Sequence, residues 1–115
     1  MTLLVSVRDP NWDIIEPESV SDELAGFESW RRTVYGSRAA QSLGLQLLSS
    51  LAKENVYAKG ADLQRLQAEV ETALANLELF AEESRDEMDN LRFHFVNIIK
   101  AVHKAIPIGG GVSIE

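Results

Sequence analysis

Residues 61–106 read ADLQRLQAEV ETALANLELF AEESRDEMDN LRFHFVNIIK AVHKAI and contain neither glycine nor proline. Leu63, Leu66, Val70, Ala73, Leu77 and Phe80 recur at spacings of three and four, as do Met88, Leu91, Phe95, Ile98, Val102 and Ile106. Both stripes have the period of an amphipathic helix. At about 100° per residue their centres fall together, near roughly 130–140° on one wheel. One uninterrupted helix of roughly 65–70 Å is the simpler reading. A break at Ser84-Arg85-Asp86-Glu87, which reads as a capping box, is the alternative.

Working outward, no proline occurs between Pro17 and Pro107, which favours helix throughout because proline is the main helix breaker. Ser19–Asp22 suits an N-cap and first turn. Val20, Leu24, Phe27, Trp30 and Val34 then form an amphipathic stripe, and Ala40, Leu43, Leu47 and Leu51, widened by Leu45 and Leu48, form another. The two stripes differ in phase by roughly 120° across Gly36-Ser37. That rotation predicts a break there, with Ser37 as a new N-cap. Asn55–Gly60 reads as a turn, with Asp62 available to cap the helix beyond it.

The ends differ from the middle. Thr2–Val7 is apolar and β-branched enough for one short strand, and Asp9-Pro10-Asn11-Trp12 stops it. After Pro107 comes Ile108, a triglycine and Val112-Ser113-Ile114-Glu115. Either this tail is a floppy end held by contacts outside the chain, or Val112–Ile114 pairs with Leu3–Val7. The expected architecture is therefore one all-α domain over 1–115. It comprises an extended arm (1–17), a helical body (18–106) and a tail (107–115), arranged as an antiparallel helical hairpin or an up-down bundle.

The order of charges supports the fold-back. Residues 1–28 hold Arg8 against seven acids, a net of −6, and residues 29–61 hold five cations against Glu54, a net of +4. Residues 62–89 hold nine acids against Arg65 and Arg85, a net of −7, and residues 90–115 carry +2. Folding at Asn55–Gly60 sets the second block beside the third and the first beside the fourth. Exposed pairs contribute only about 0–1 kcal/mol each, so such charges choose neighbours more than they stabilise. An extended hairpin would leave Phe93/Val96 and Leu43/Leu47 uncovered, which favours self-association; a bundle would remove that need.

Composition excludes several classes of function. The chain has 115 residues, no cysteine and a formal net charge of −7. A disulfide frame, a thiolate metal site and a cysteine nucleophile are therefore impossible. The acidic balance argues against broad binding to nucleic acid or anionic membranes. No apolar run approaches the ~18 residues of a membrane span, and Met1–Val7 lacks the basic lead-in of a signal peptide. A cytoplasmic protein is expected.

Little in the sequence assembles a reaction centre. His94 and His103 are nine residues apart, on opposite sides of one helix. Leu91 and Lys100 stand three before them, so the Glu-x-x-His spacing of a di-metal bundle is missing. No nucleophile-elbow motif occurs. Glu82, Glu83, Asp86, Glu87 and Asp89 lack the glycine of a calcium loop and read as a solvated acidic face or an electrostatic recognition element. The one basic-aromatic stretch, Trp30–Arg38, combines residues found at protein hot spots. Its three arginines make only a weak phosphate-binding footprint. Gly109–Gly111 lacks the Lys-Ser/Thr and the following helix of a phosphate loop.

The expectation is a non-catalytic interaction protein, a small subunit or adaptor, with no cofactor and no metal. Its partner is another protein or a second copy, and nucleic acid is disfavoured. The candidate partner-binding residues are Trp30, Arg31, Arg32, Tyr35, Glu78, Glu82, Glu83 and Asp86. The alternative is an acidic inhibitor of the antitoxin or immunity type, acting on a basic enzyme or mimicking nucleic acid.

Overall fold

The two chain ends, whose Val5, Val7, Val112 and Ile114 share one face, meet at the centre of a sheet. In the computed structural model, which describes residues 1–115, ten elements follow one another. They are β1 (Thr2–Arg8), β2 (Ile14–Ile15), β3 (Leu24–Phe27), α1 (Arg38–Ser42), α2 (Gln46–Ser49), β4 (Val56–Lys59), α3 (Ala61–Leu74), α4 (Leu77–Ser84), α5 (Met88–Ala105) and β5 (Gly111–Ile114). Short 3-10 turns lie at Val20–Glu23 and Ser50–Ala52, and a π-helical turn at Arg31–Tyr35. The strands are all antiparallel in the order β2-β1-β5-β4, with β3 also pairing β1. Val5 lies opposite Ile114, and Ile114 opposite Val56. The C-terminal tail is therefore a central strand held by this chain's own N-terminus.

Side chains alternate across this sheet as the pleat requires. Leu3, Val5, Val112, Ile114, Val56 and Ala58 are buried beneath the helices. Helix α5 crosses β1, β3 and β5 and packs along α3. Its Leu91, Phe95, Ile98 and Val102 meet the α3 and α4 stripe Leu63, Leu66, Val70, Ala73, Leu77 and Phe80 in one core. Asn97 joins the layers, its Nδ2 donating to the carbonyls of Ser21 (2.9 Å) and Leu24 (2.8 Å).

The protein is thus α+β, and the all-α hairpin or bundle is incorrect. Three local readings account for the error. Leu24–Phe27 is a strand because Gly26 adopts φ +113° and has the poorest helix propensity after proline, while pairing with Thr2 and Leu4 satisfies its backbone. Val56–Lys59 is a strand, not a turn: Val56 and Ala58 face the core while Tyr57 and Lys59 face out, a period-2 signal too short to stand out from sequence. Residues 61–106 form three helices. Asn76 leaves the helical region at φ −131°, ψ 34°, and Arg85 is left-handed at φ 66°. Wheel phase carries no information across residues that are not helical, so the shared phase of the two stripes was coincidental.

Other expectations survive locally. The Ser37 Oγ accepts the Ala40 N–H at 3.2 Å and caps α1. The radius of gyration, 13.0 Å, is that of a self-contained domain of about this length. One core takes in most of the apolar helix stripes, whereas Phe93, Met88 and Ile106 stay partly exposed on α5 and just beyond it, and the fully open faces of an extended hairpin are absent.

Tyr35 yields a pH prediction. Its phenol lies in the core and donates to the Ala25 carbonyl at 2.6 Å, and burial drives its pKa far above the ordinary value. The fold keeps a proton that the unfolded chain releases above about pH 10. This contribution is complete below about pH 10 and is lost as the pH rises beyond it, by about 1.4 kcal/mol per pH unit. In urea titrations, Tyr35→Phe should flatten that decline and cost about 1 kcal/mol near pH 7 through the lost hydrogen bond. An unchanged alkaline slope would exclude this phenol as its source.

Candidate functional site

The basic-aromatic stretch folds inward. Trp30 is buried against Gly26, His94 and Phe27, and Tyr35 lies between Trp30 and Phe95. Arg31 staples the chain internally. Its guanidinium donates to the Glu28 carboxylate (2.9 Å), the carbonyls of Leu51 and Glu54 (both 3.1 Å) and the Asn55 side chain (2.6 Å). Arg32 and Arg38 are exposed, and neither guanidinium has a partner in the chain.

The acidic group divides differently. Glu83 accepts the backbone N–H groups of Arg38 and Ala39, both at 3.0 Å, and so caps α1. Buried Glu69 does the same for α2, accepting from Leu47 (3.1 Å) and Leu48 (3.0 Å) with Arg65 alongside. Two carboxylates of the acidic block therefore meet the positive block through helix N-termini, where partial positive charge and unpaired N–H groups favour an anion. At the other end, Lys100 pairs with Asp22 at 3.7 Å, joining the first and fourth charge blocks. Asp89 is taken up by Arg92 at 2.7 Å.

Glu78, Glu82, Asp86 and Glu87 form no ion pair with this chain. Glu78 and Glu82 stand one turn apart on α4 with Leu79 between them in sequence. Leu79 is 44% exposed, and Met88 at the start of α5 is 40% exposed. Two shallow concavities share Leu79 and Glu82. One, of about 560 Å³, runs from Leu74 past Glu78 to Met88 and Arg92, and the other, of about 380 Å³, faces Arg38, Ala39 and Ser42. The result is a ledge with apolar ground and unpaired carboxylates at its rim. Comparison with known proteins finds no family model, no curated protein and no solved structure that matches this chain.

Elsewhere the polar groups are differently disposed. No three His, Asp or Glu side chains converge to hold a metal ion. His94 is buried with its Nδ1–H donating to the Asn90 carbonyl at 2.8 Å, and His103 is exposed on another part of α5. A cleft of about 180 Å³ between β1 and the end of α5 is rimmed by Glu16, Asp22, Glu23, Lys100 and Lys104, smaller than the ~300 Å³ and upward typical of ligand sites. No helix is long and apolar enough to cross a membrane.

One constellation escaped the sequence reading. Arg8 and Lys59 both lie opposite Gly111 in the sheet, and Trp12 lies over that glycine with each cation 5.7 Å from its ring centre. Tyr57 meets the same ring edge-on at 6.3 Å. These residues come from separate segments, and only the strand register brings them together.

Proposed function

We propose that this protein is a non-catalytic interaction domain, a small cytoplasmic subunit or adaptor, that receives a basic surface of another protein on the α4 ledge. The observation that supports this reading is the set of four unpaired carboxylates, Glu78, Glu82, Asp86 and Glu87, beside the exposed Leu79 and Met88. Exposed apolar ground with a charged rim suits a protein contact, and an excess of carboxylates over the neighbouring Arg38, Arg85 and Arg92 favours encounter with a basic partner. Arg32 and Arg38 are the members of the basic-aromatic stretch whose side chains remain available to such a partner. The second reading, an acidic inhibitor of the antitoxin or immunity type, is favoured by the confinement of those carboxylates to residues 78–87. There they could enter a basic active site together.

Capture from the native host tests both forms. The unaltered protein should retain a basic partner whose binding weakens steeply as salt rises from about 0.05 to 0.3 M. Glu78→Lys, Glu82→Lys and Asp86→Lys combined should weaken that retention by at least about tenfold, with the fold intact by circular dichroism. Equal retention by the triple variant would remove the ledge from the contact. Inhibition of the captured partner's activity would select the inhibitor form.

A further inference from the structure

Strand β4 forms one side of the sheet, and its hydrogen-bonding groups can be assigned from the register. Leu4 and Glu115 exchange both backbone bonds at 3.0 Å. The alternation of an antiparallel ladder therefore directs the backbone groups of Ser113 and Gly111 toward β1, and those of Ile114 and Val112 toward β4. Val56 and Ala58, paired with Ile114 and Val112, take up those bonds. The N–H and C=O of Tyr57 and the N–H of Lys59 consequently point away from the sheet and meet no partner in the chain. The opposite edge of β1 is divided between the short β2 and β3, as natural sheets commonly blunt an edge. β4 is left open.

A groove of about 350 Å³ runs beside this edge, lined by Leu47, Ser50, Glu54, Asn55, Val56 and Tyr57. On the other face, Lys59 leans over Trp12 and makes no ion pair. We propose that β4 is a strand-addition site for an extended segment of a partner protein. The segment runs antiparallel and carries an acidic residue opposite Lys59 and an aliphatic residue three positions later, opposite Val56 and against Leu47. Backbone bonds to Tyr57 and Lys59 would supply the binding, and the two side chains the selectivity. A second copy of this chain fits less well. The outward-bonding residues are odd-numbered, so self-pairing sets Lys59 against Tyr57, Asn55, Lys53 or another Lys59, and never against an acid. This site lies on different elements from the acidic ledge and stands without it.

The probe is an acetylated, amidated peptide, Thr-Glu-Ala-Thr-Ile-Thr, titrated into the full chain and followed by amide NMR. The Tyr57 and Lys59 amides should shift most and gain hydrogen-exchange protection. Replacing the peptide's glutamate by lysine should weaken binding about 3- to 10-fold, and Lys59→Glu should invert that preference. Tyr57→Pro, which removes an outward N–H without touching the bonds made by Val56 and Ala58, should abolish binding. The proposal fails if neither amide responds, or if the unaltered protein and the Lys59→Glu variant each bind the two peptides alike. It also fails if both amides are already protected in a dimer detected by sedimentation, which would make a second copy the occupant. If Tyr57→Pro does not fold, the charge swap alone decides.

Discussion

Glu69→Ala is expected to destabilise the protein by about 2–4 kcal/mol, which for a chain of this size lowers the melting temperature by roughly 10–20 °C. Glu69 is buried on α3, and its two oxygens accept the Leu47 and Leu48 N–H groups that open α2. Helix α2 is only four residues long, too short to persist without tertiary support. Removing the carboxylate orphans two donors, one belonging to the buried Leu48, in a place water reaches poorly. Alanine is itself an excellent helix former, so α3 is not the element that suffers. Glu69→Gln separates charge from shape: one amide oxygen still accepts, but the NH2 group faces a second donor. It should cost about half as much as the alanine change. Amide exchange at Leu47 and Leu48 should rise in both variants. A loss below about 0.5 kcal/mol for Glu69→Ala would mean that α2 is held by its apolar contacts alone.

The same residue shows what could be read from sequence. Glu69 belongs to the acidic block expected to lie beside residues 29–61, and it does contact them, as does Glu83. The carboxylates nonetheless reach backbone N–H groups rather than the arginines and lysines of that block. Charge order constrains which segments are neighbours, whereas the particular partner depends on where a helix begins, and the Ala40–Leu51 stripe runs across both short helices without marking the start of α2. Apolar periodicity performed in the same way. It located the core stripes of α3 and α5, but it could not count helices across Asn76 or Arg85, whose backbone departures rest on single residues. At the candidate site, Glu78 and Glu82 were legible as part of an unmatched acidic run. The burial of Trp30 and Tyr35 was not, because a short basic-aromatic stretch reads alike whether its rings face solvent or the core. The Trp12 constellation and the open edge of β4 depend on strand register, which involves residues about 50 to 100 positions apart.

Gly110→Ala should be the most damaging single-methyl change in the protein, costing about 3–5 kcal/mol or preventing folding at 37 °C. The three consecutive glycines suggest a flexible tail, yet each is required for a different reason. Gly109 has φ +69° in the turn after α5, with open space where a Cβ would lie; alanine there meets only backbone strain, about 1–2 kcal/mol. At Gly110 the obstacle is room. A Cβ would collide with the Arg8 carbonyl oxygen and approach the Asp9 Cα at 3.3 Å, and a backbone atom in a central strand cannot swing aside like a side chain. Relief requires β5 to move off β1 at the Arg8–Gly111 pair, which also loosens the Arg8 bonds to Ser113 (3.1 Å) and Glu115 (2.8 Å). At Gly111 a Cβ would run into the Trp12 ring and lie 2.6 Å from the Ala58 carbonyl oxygen. Thermal unfolding of the three alanine variants should therefore place Gly109→Ala nearest the unaltered protein and Gly110→Ala farthest from it. The reverse order would mean that backbone conformation, not the close approach of β1 and β5, is what the triglycine provides.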